Sequence, residues 1–299
     1  MKQRVSLVLS GGGARGIAHI GVIEELEKYG FEIASVAGTS MGAVVGGVYA
    51  TGKMEEFKNW LYTIDKIKLF NLIDFTFSTQ GIVKGDKLLQ KMKDFIPDIN
   101  IEDLGIPYAA VAADIINKKE VIFRTGSVYD AIRASIAIPG IFTPVKTPNG
   151  LLVDGGIVNN IPITQVKRVP NDILIAVNVN ADIPFLKPTI PTIEPENKLS
   201  SYHKRLKEFY GKLQRVNPTA HEERHGYFDL INKTIGLMSY HLTQMSLQNN
   251  YPDILIEVSN DSCGAFDFYK AQEMVEIGRV AAIKSLEDYE GLKDARLKA

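Results

Sequence analysis

Apolar positions along the chain fall into short continuous runs broken by glycine-rich turns and by stripes at helical spacing. The run VSLVLS (5–10) ends in Gly11-Gly12-Gly13, and Ile20, Ile23 and Leu26 then mark a helix that stops at Gly30. The unit repeats at once: IASVA (33–37) feeds Gly38-Thr39-Ser40-Met41-Gly42 and a helix ending near Gly52. Strand–helix units in succession imply a parallel sheet, because the helix is the crossover that returns the chain to start a strand in the same direction. Further strands are predicted at 108–114, 120–124, 151–154, 172–179 and 253–258. A closing helix over about 267–289 carries Ala271, Met274, Val275, Gly278 and Ala282 on one face, which should pack on the sheet. The expected fold is α/β with a central, mainly parallel sheet.

Two regions break the rhythm. Residues 54–96 place Phe57, Trp60, Leu61 and Ile64 at helical spacing and continue into a poorly periodic apolar run, IKLFNLIDFTF, that reads as a lid. Residues 181–226 begin with Pro184, Pro188, Pro191 and Pro195 and pass into a basic helical pattern, an expected insertion. Beyond it, Ile231, Ile235, Met238, Leu242 and Met245 form a heptad-like stripe, read as core rather than as a dimer seam. Residues 33–52 carry no charge over a length that could span a bilayer, but five glycines and little aliphatic bulk favour a strand, a turn and a small-residue helix.

A chain of 299 residues with 45% apolar residues suits a single domain over 1–299 with insertions. Lys plus Arg number 34 against 35 for Asp plus Glu, so the basic excess of a nucleic-acid binder is missing. The one cysteine, Cys263, has no intramolecular disulfide partner. No signal-peptide core precedes Gly11, and the expected location is cytoplasmic.

Gly38-x-Ser40-x-Gly42 between a strand and a helix has the form of a nucleophile elbow. Its glycines let strand and helix approach around a strained turn, and the free amides at the start of the helix, Met41 first, face an oxyanion. A glycine-rich turn without chemistry is the plain alternative. Gly11-Gly12-Gly13-Ala14-Arg15-Gly16, at the carboxyl end of the first strand, also fits the dinucleotide pattern GxGxxG. That reading needs an acidic residue at the end of the second strand, where Gly38-Thr39-Ser40 stands instead, so the loop is read as an oxyanion donor. Asp154-Gly155-Gly156 follows Leu151-Leu152-Val153; alone, it is an ordinary turn.

Taken together and in this order, GGGARG, GTSMG and DGG resemble the patatin-like phospholipase family, with RASIAIPGIFTPV (133–145) and DGGIVNNIP (154–162) as supporting matches. The likeness is close over residues 4 to about 180. It implies a three-layer α/β sandwich and a lipid acyl hydrolase in which Ser40 is the nucleophile, Asp154 the base, and the amides of Gly11, Gly12, Gly13 and Met41 the oxyanion hole. No catalytic histidine, metal or cofactor is implied. Arg15 would shape the pocket or meet a lipid phosphate, unless it is a surface cation at a helix start. Acyl transfer to an alcohol, or a non-catalytic nucleotide-binding or scaffold role, are the alternatives. The expected partner is a lipid or hydrophobic ester. Homo-oligomerisation and peripheral membrane contact stay open.

Three features are weighed against this reading. His221-Glu222-Glu223-Arg224-His225 fits the zinc-protease pattern HExxH, but charged residues between the ligands and Gly226 after them favour a solvated helix end. His19 is expected to be a core or near-core histidine rather than a base. The segment 202–216 is a basic amphipathic helix; packing on the protein is its plainer role, and an anionic membrane surface the one that would suit a lipid hydrolase.

Overall fold

β1 (Gln3–Leu9) is buried from Val5 to Leu9 on both faces, the mark of a strand inside a sheet covered on both sides. The structure is a computed structural model and describes residues 2–72, 74–78, 81–185 and 227–298. After a 3₁₀ turn over Gly13–Ile17 come α1 (Ala18–Lys28), β2 (Phe31–Thr39) and α2 (Met41–Ala50). The uncharged stretch 33–52 is thus a strand, a turn and a helix. Among the described residues no helix is long and apolar enough to cross a membrane.

α3 (Met54–Tyr62), α4 (Lys66–Leu72), the hairpin of β3 (Phe75–Ser78) and β4 (Gly81–Val83), and α5 (Asp86–Lys93) follow. The two flanks of this stretch are core: Phe57, Leu61, Ile64, Leu89, Met92 and Ile96 all join the main apolar cluster. α4 between them has no buried residue.

The sheet is completed by β5 (Tyr108–Asp114), β6 (Lys119–Phe123), β7 (Val145–Thr147), β8 (Gly150–Asp154), β9 (Ile173–Ala181) and β10 (Ile254–Ser259), with α6 (Val128–Ser135) between β6 and β7. Its order is β10-β9-β1-β2-β5-β8-β7, with β6 also paired to β5. The β10–β9, β9–β1, β1–β2 and β2–β5 pairs are parallel; β6 and β8 run antiparallel to β5, and β7 to β8. The expected mainly parallel α/β fold is therefore present, with an antiparallel end that strand-by-strand pattern did not reveal.

The two faces are covered unequally. On one, α1, α2, α3, α6 and α8 (Ala271–Lys298) contribute to a large cluster that includes Leu7, Ile20, Val45, Phe57, Ile132 and Met274. On the other, Val8, Ala37, Ala109 and Ala176 meet Ile161, Ile163, Val166 and Leu247, the last from α7 (Tyr227–Asn249). The stripe on α7 departs from expectation, since Met238 and Met245 are exposed. By compactness the chain divides into Met1–Pro188 with Ser239–Ala299 and, separately, Thr189–Met238. Of the second unit only residues 227–238, helical throughout, are described. The basic segment 202–216 and the HExxH residues lie outside the described residues.

Candidate active site

Strand pairing brings the first two candidate residues together. Thr39, the last residue of β2, pairs with Val111 of β5, and Asp154, the last residue of β8, pairs with the next residue, Ala112. β6 occupies the other edge of β5 continuously from Ala110 to Asp114. β2 and β8 therefore lie on one edge of β5, running toward each other, and their carboxyl ends meet.

At that meeting point β2 turns sharply into α2. Ser40 carries φ 53° and ψ −122°, a backbone conformation that a residue with a side chain adopts only under constraint. The constraint is visible. The Ser40 N–H donates to Ser135 Oγ at 2.8 Å, and that hydroxyl donates to Val111 O at 2.6 Å. A Cβ on Gly38 would lie 2.3 Å from the Gly42 carbonyl, and one on Gly42 only 2.2 Å from Leu9 O, so neither position admits a side chain. Among the described residues the N-terminus of α2 has no side-chain cap, which leaves the Met41 N–H one of its first-turn donors without a partner there.

Asp154 is buried, as is Ser40. Its Oδ1 accepts from the Gly156 N–H at 2.8 Å, and that bond and the neighbouring Ser40 side chain both favour the charged form of the carboxyl. Burial dominates over these two influences and pushes the carboxyl up to about 6. A proton acceptor of that strength beside the serine is better suited to deprotonate its hydroxyl than an ordinary aspartate. The loop after Asp154 is stitched to both motifs: Thr39 Oγ1 donates to Asn159 O at 2.8 Å, and the Gly11 N–H donates to Asn160 O at 3.0 Å.

That last bond revises one expectation. The Gly11 amide is spent on Asn160, so it is not open to a ligand. The Ala14 N–H is likewise spent, on Ala265 O at 2.8 Å. Gly12 and Gly13, between them, keep N–H groups without a protein acceptor among the described residues. Gly11 nevertheless lies against Ser40, since a Cβ there would come within 3.1 Å of Ser40 Cβ.

Arg15 is partly buried and bonded within the protein. Its Nη1 donates to Cys263 O at 3.2 Å and its Nη2 to Asn180 Oδ1 at 2.9 Å, while its Nε is buried without a partner. Burial lowers its pKa, against the influence of Cys263 and Asp261, which raise it. His19 is fully buried. Its Nε2–H donates to Ser10 O at 2.8 Å, Nδ1 has no partner, and burial pushes it down to about 4, so it is a neutral core residue. Cys263, raised to about 11 by burial, is an inert thiol. Ser135 and Asn180, which bond the Ser40 N–H and Gly11 O, were not singled out from sequence, and Asn160 was marked only as part of DGGIVNNIP. Ser135 and Asn160 lie within stretches whose likeness to the family was visible, but a serine at a helix end or an asparagine in a loop carries no local sign of the backbone group it will hold.

Comparison with known proteins agrees with the motifs. The patatin-like phospholipase family profile matches residues 7–167. An uncharacterized NTE family protein of Mycobacterium tuberculosis is 33% identical over 96% of this chain and 92% of its own length. Lysophospholipase NTE1 of Meyerozyma guilliermondii is 28% identical over 94% of this chain, and patatin-like phospholipase domain-containing protein 6 of Homo sapiens is 30% identical over 72% of it. Those two are much longer proteins, of which the chain spans 19% and 15%.

Proposed function

The chain belongs to the patatin-like phospholipase family, and on that footing we propose that it hydrolyses carboxylic ester bonds of lipids, with Ser40 as nucleophile and Asp154 as its base. As Ser40 Oγ attacks the ester carbonyl carbon, its proton passes to the Asp154 carboxylate. The carbonyl oxygen becomes an oxyanion held by the amides of Gly12, Gly13 and Met41. Collapse breaks the ester bond, the departing alcohol takes the proton from Asp154, and the acyl group stays on Ser40. Water then attacks the acyl-enzyme, gives a proton to Asp154, and the carboxylic acid leaves as the proton returns to Ser40.

The observation that best supports this reading is the head-on approach of β2 and β8 along β5, which sets a strained serine against a buried carboxyl raised to about 6. The glycine loop is put to a different use in the dinucleotide-binding alternative. That reading gives no reason for the strain at Ser40 or for the burial of Asp154. Transfer of the acyl group to an alcohol instead of water employs the same residues and differs only in the second acceptor. Labelling with a fluorophosphonate probe, compared between the wild type and Ser40→Ala and followed by a panel of phospholipid and lysophospholipid esters, tests the proposal. Labelling and ester cleavage should both vanish in Ser40→Ala; labelling that persists there overturns it.

A further inference from the structure

We infer that Asn180, braced by Arg15, is a positioning residue that aims the oxyanion-binding amides; this deepens the Ser40 reading above and rests on it. Asn180 stands at the end of β9, outside every motif of the sequence. Its Nδ2–H donates to Gly11 O at 2.6 Å, and its Oδ1 accepts from Arg15 Nη2 at 2.9 Å. The two partners fix which way the amide faces, because a carbonyl oxygen only accepts and a guanidinium only donates.

The bond lies at a point where it controls direction. The β1–β9 ladder ends at the Leu9–Val177 pair. Beyond it the Ser10 N–H donates to Val177 O at 3.1 Å, the Val179 N–H to Ser10 Oγ at 3.0 Å, and His19 Nε2–H to Ser10 O at 2.8 Å. With the Gly11 N–H on Asn160 O and Gly11 O on Asn180, every backbone polar group of Ser10 and Gly11 is occupied, just before the two amides that are not. The Gly11 carbonyl and the Gly12 N–H belong to one planar trans peptide and point in opposite directions. Holding the oxygen from behind therefore aims the Gly12 N–H, and donors lower the barrier to an oxyanion in proportion to how well they are fixed beforehand. Arg15, tied to Cys263 O by its other nitrogen, keeps the Asn180 amide from rotating.

The test is Asn180→Asp in the full chain, with Asn180→Ala beside it. The carboxylate introduced by Asn180→Asp has the shape of the amide it replaces and still pairs with Arg15, so the fold is kept. One of its oxygens, however, repels Gly11 O where an N–H had donated. With a fluorophosphonate probe as active-site titrant and a short-chain ester as substrate, Ser40 should label to the same end point as in the wild type. The labelling rate and kcat per labelled site should each fall about tenfold, with KM within about twofold, since the amides act on the transition state rather than on bound ester. Wild-type kcat per labelled site in both variants, with any loss of activity matching a loss of labelled sites, would reduce Asn180 to a structural residue and overturn the inference. Wild-type labelling that does not depend on Ser40 would overturn the parent reading instead, and the two failures are told apart by the Ser40→Ala control.

Discussion

The antiparallel ladder between β5 and β8 carries an aspartate at each end, and the two have opposite chemistry. At one end Asp114, paired with Leu152, receives Asn117 Nδ2–H at 2.7 Å and the backbone N–H groups of Ile116, Asn117 and Leu151. The Asn117 side chain leads these bonds, which outweigh burial and hold the carboxyl down to about 2. At the other end Asp154, paired with Ala112, has burial as its leading influence, which outweighs one backbone N–H and the neighbouring Ser40 side chain and raises it to about 6. One sheet thus builds a permanent anion that ties a hairpin turn and, two residues away along β5, a carboxyl that can take up and release a proton near neutrality. The difference lies in burial, which dominates at Asp154, and in the donors led by the Asn117 side chain, which dominate at Asp114, not in residue type. A base is made by burying a carboxyl among few donors.

The largest effect should come from removing the pair at the second end. Ser40→Ala and Asp154→Asn should each lower kcat/KM at least about 10³-fold in a steady-state ester assay. Asp154→Asn should at the same time leave the fold more stable at pH 7. The folded pKa of about 6 lies above the ordinary 3.8, so ionising the buried carboxyl costs stability as the pH rises through that window, by up to about 3 kcal/mol. Thermal unfolding at pH 5 and pH 7.5 checks this, with the variant's advantage larger at the higher pH.

Ser135→Ala attacks the support rather than the chemistry. The Ser40 N–H loses its acceptor and the elbow relaxes, so kcat should fall about tenfold with a stability loss of about 1 kcal/mol. His19→Gln should change kcat per labelled site no more than about threefold, because His19 donates to Ser10 O and is held neutral by burial. The smallest effect on turnover belongs to Asp114→Asn, expected within about twofold of the wild type. Its cost is stability: the carboxylate is favoured in the fold, so its contribution is present above about pH 4 and is lost as the pH falls toward 2. A drop in kcat for Asp114→Asn that exceeds the drop in folded fraction would erase the contrast between the two ends.

Local pattern was enough to find the strands that carry the site and the residues at their ends, because each motif is read within its own strand, turn and helix. YAAVAAD became β5 residue for residue, and Ser40 and Asp154 emerged at strand ends as expected. What stayed hidden depends on pieces distant in sequence. The head-on meeting of β2 and β8 is a property of β5's edge, and nothing within GLLVD marks its antiparallel course. The loss of Gly11 as a donor comes from Asn160, and the bonds of Arg15 go to Asn180 and Cys263, residues more than a hundred positions on. The α7 stripe failed for the converse reason: Met238 and Met245 have apolar spacing but no core opposite them in the described residues.

The central claim, that Asp154 rather than a histidine activates Ser40, is met most directly by the pH dependence of the rate at which a fluorophosphonate labels Ser40, measured in the wild type and in His19→Gln. The rate should rise with pH to a plateau, with its midpoint near pH 6 in both proteins, as Asp154 gives up its proton. A midpoint that shifts or disappears in His19→Gln, or a rate that does not change between pH 4.5 and 7.5, would contradict the account.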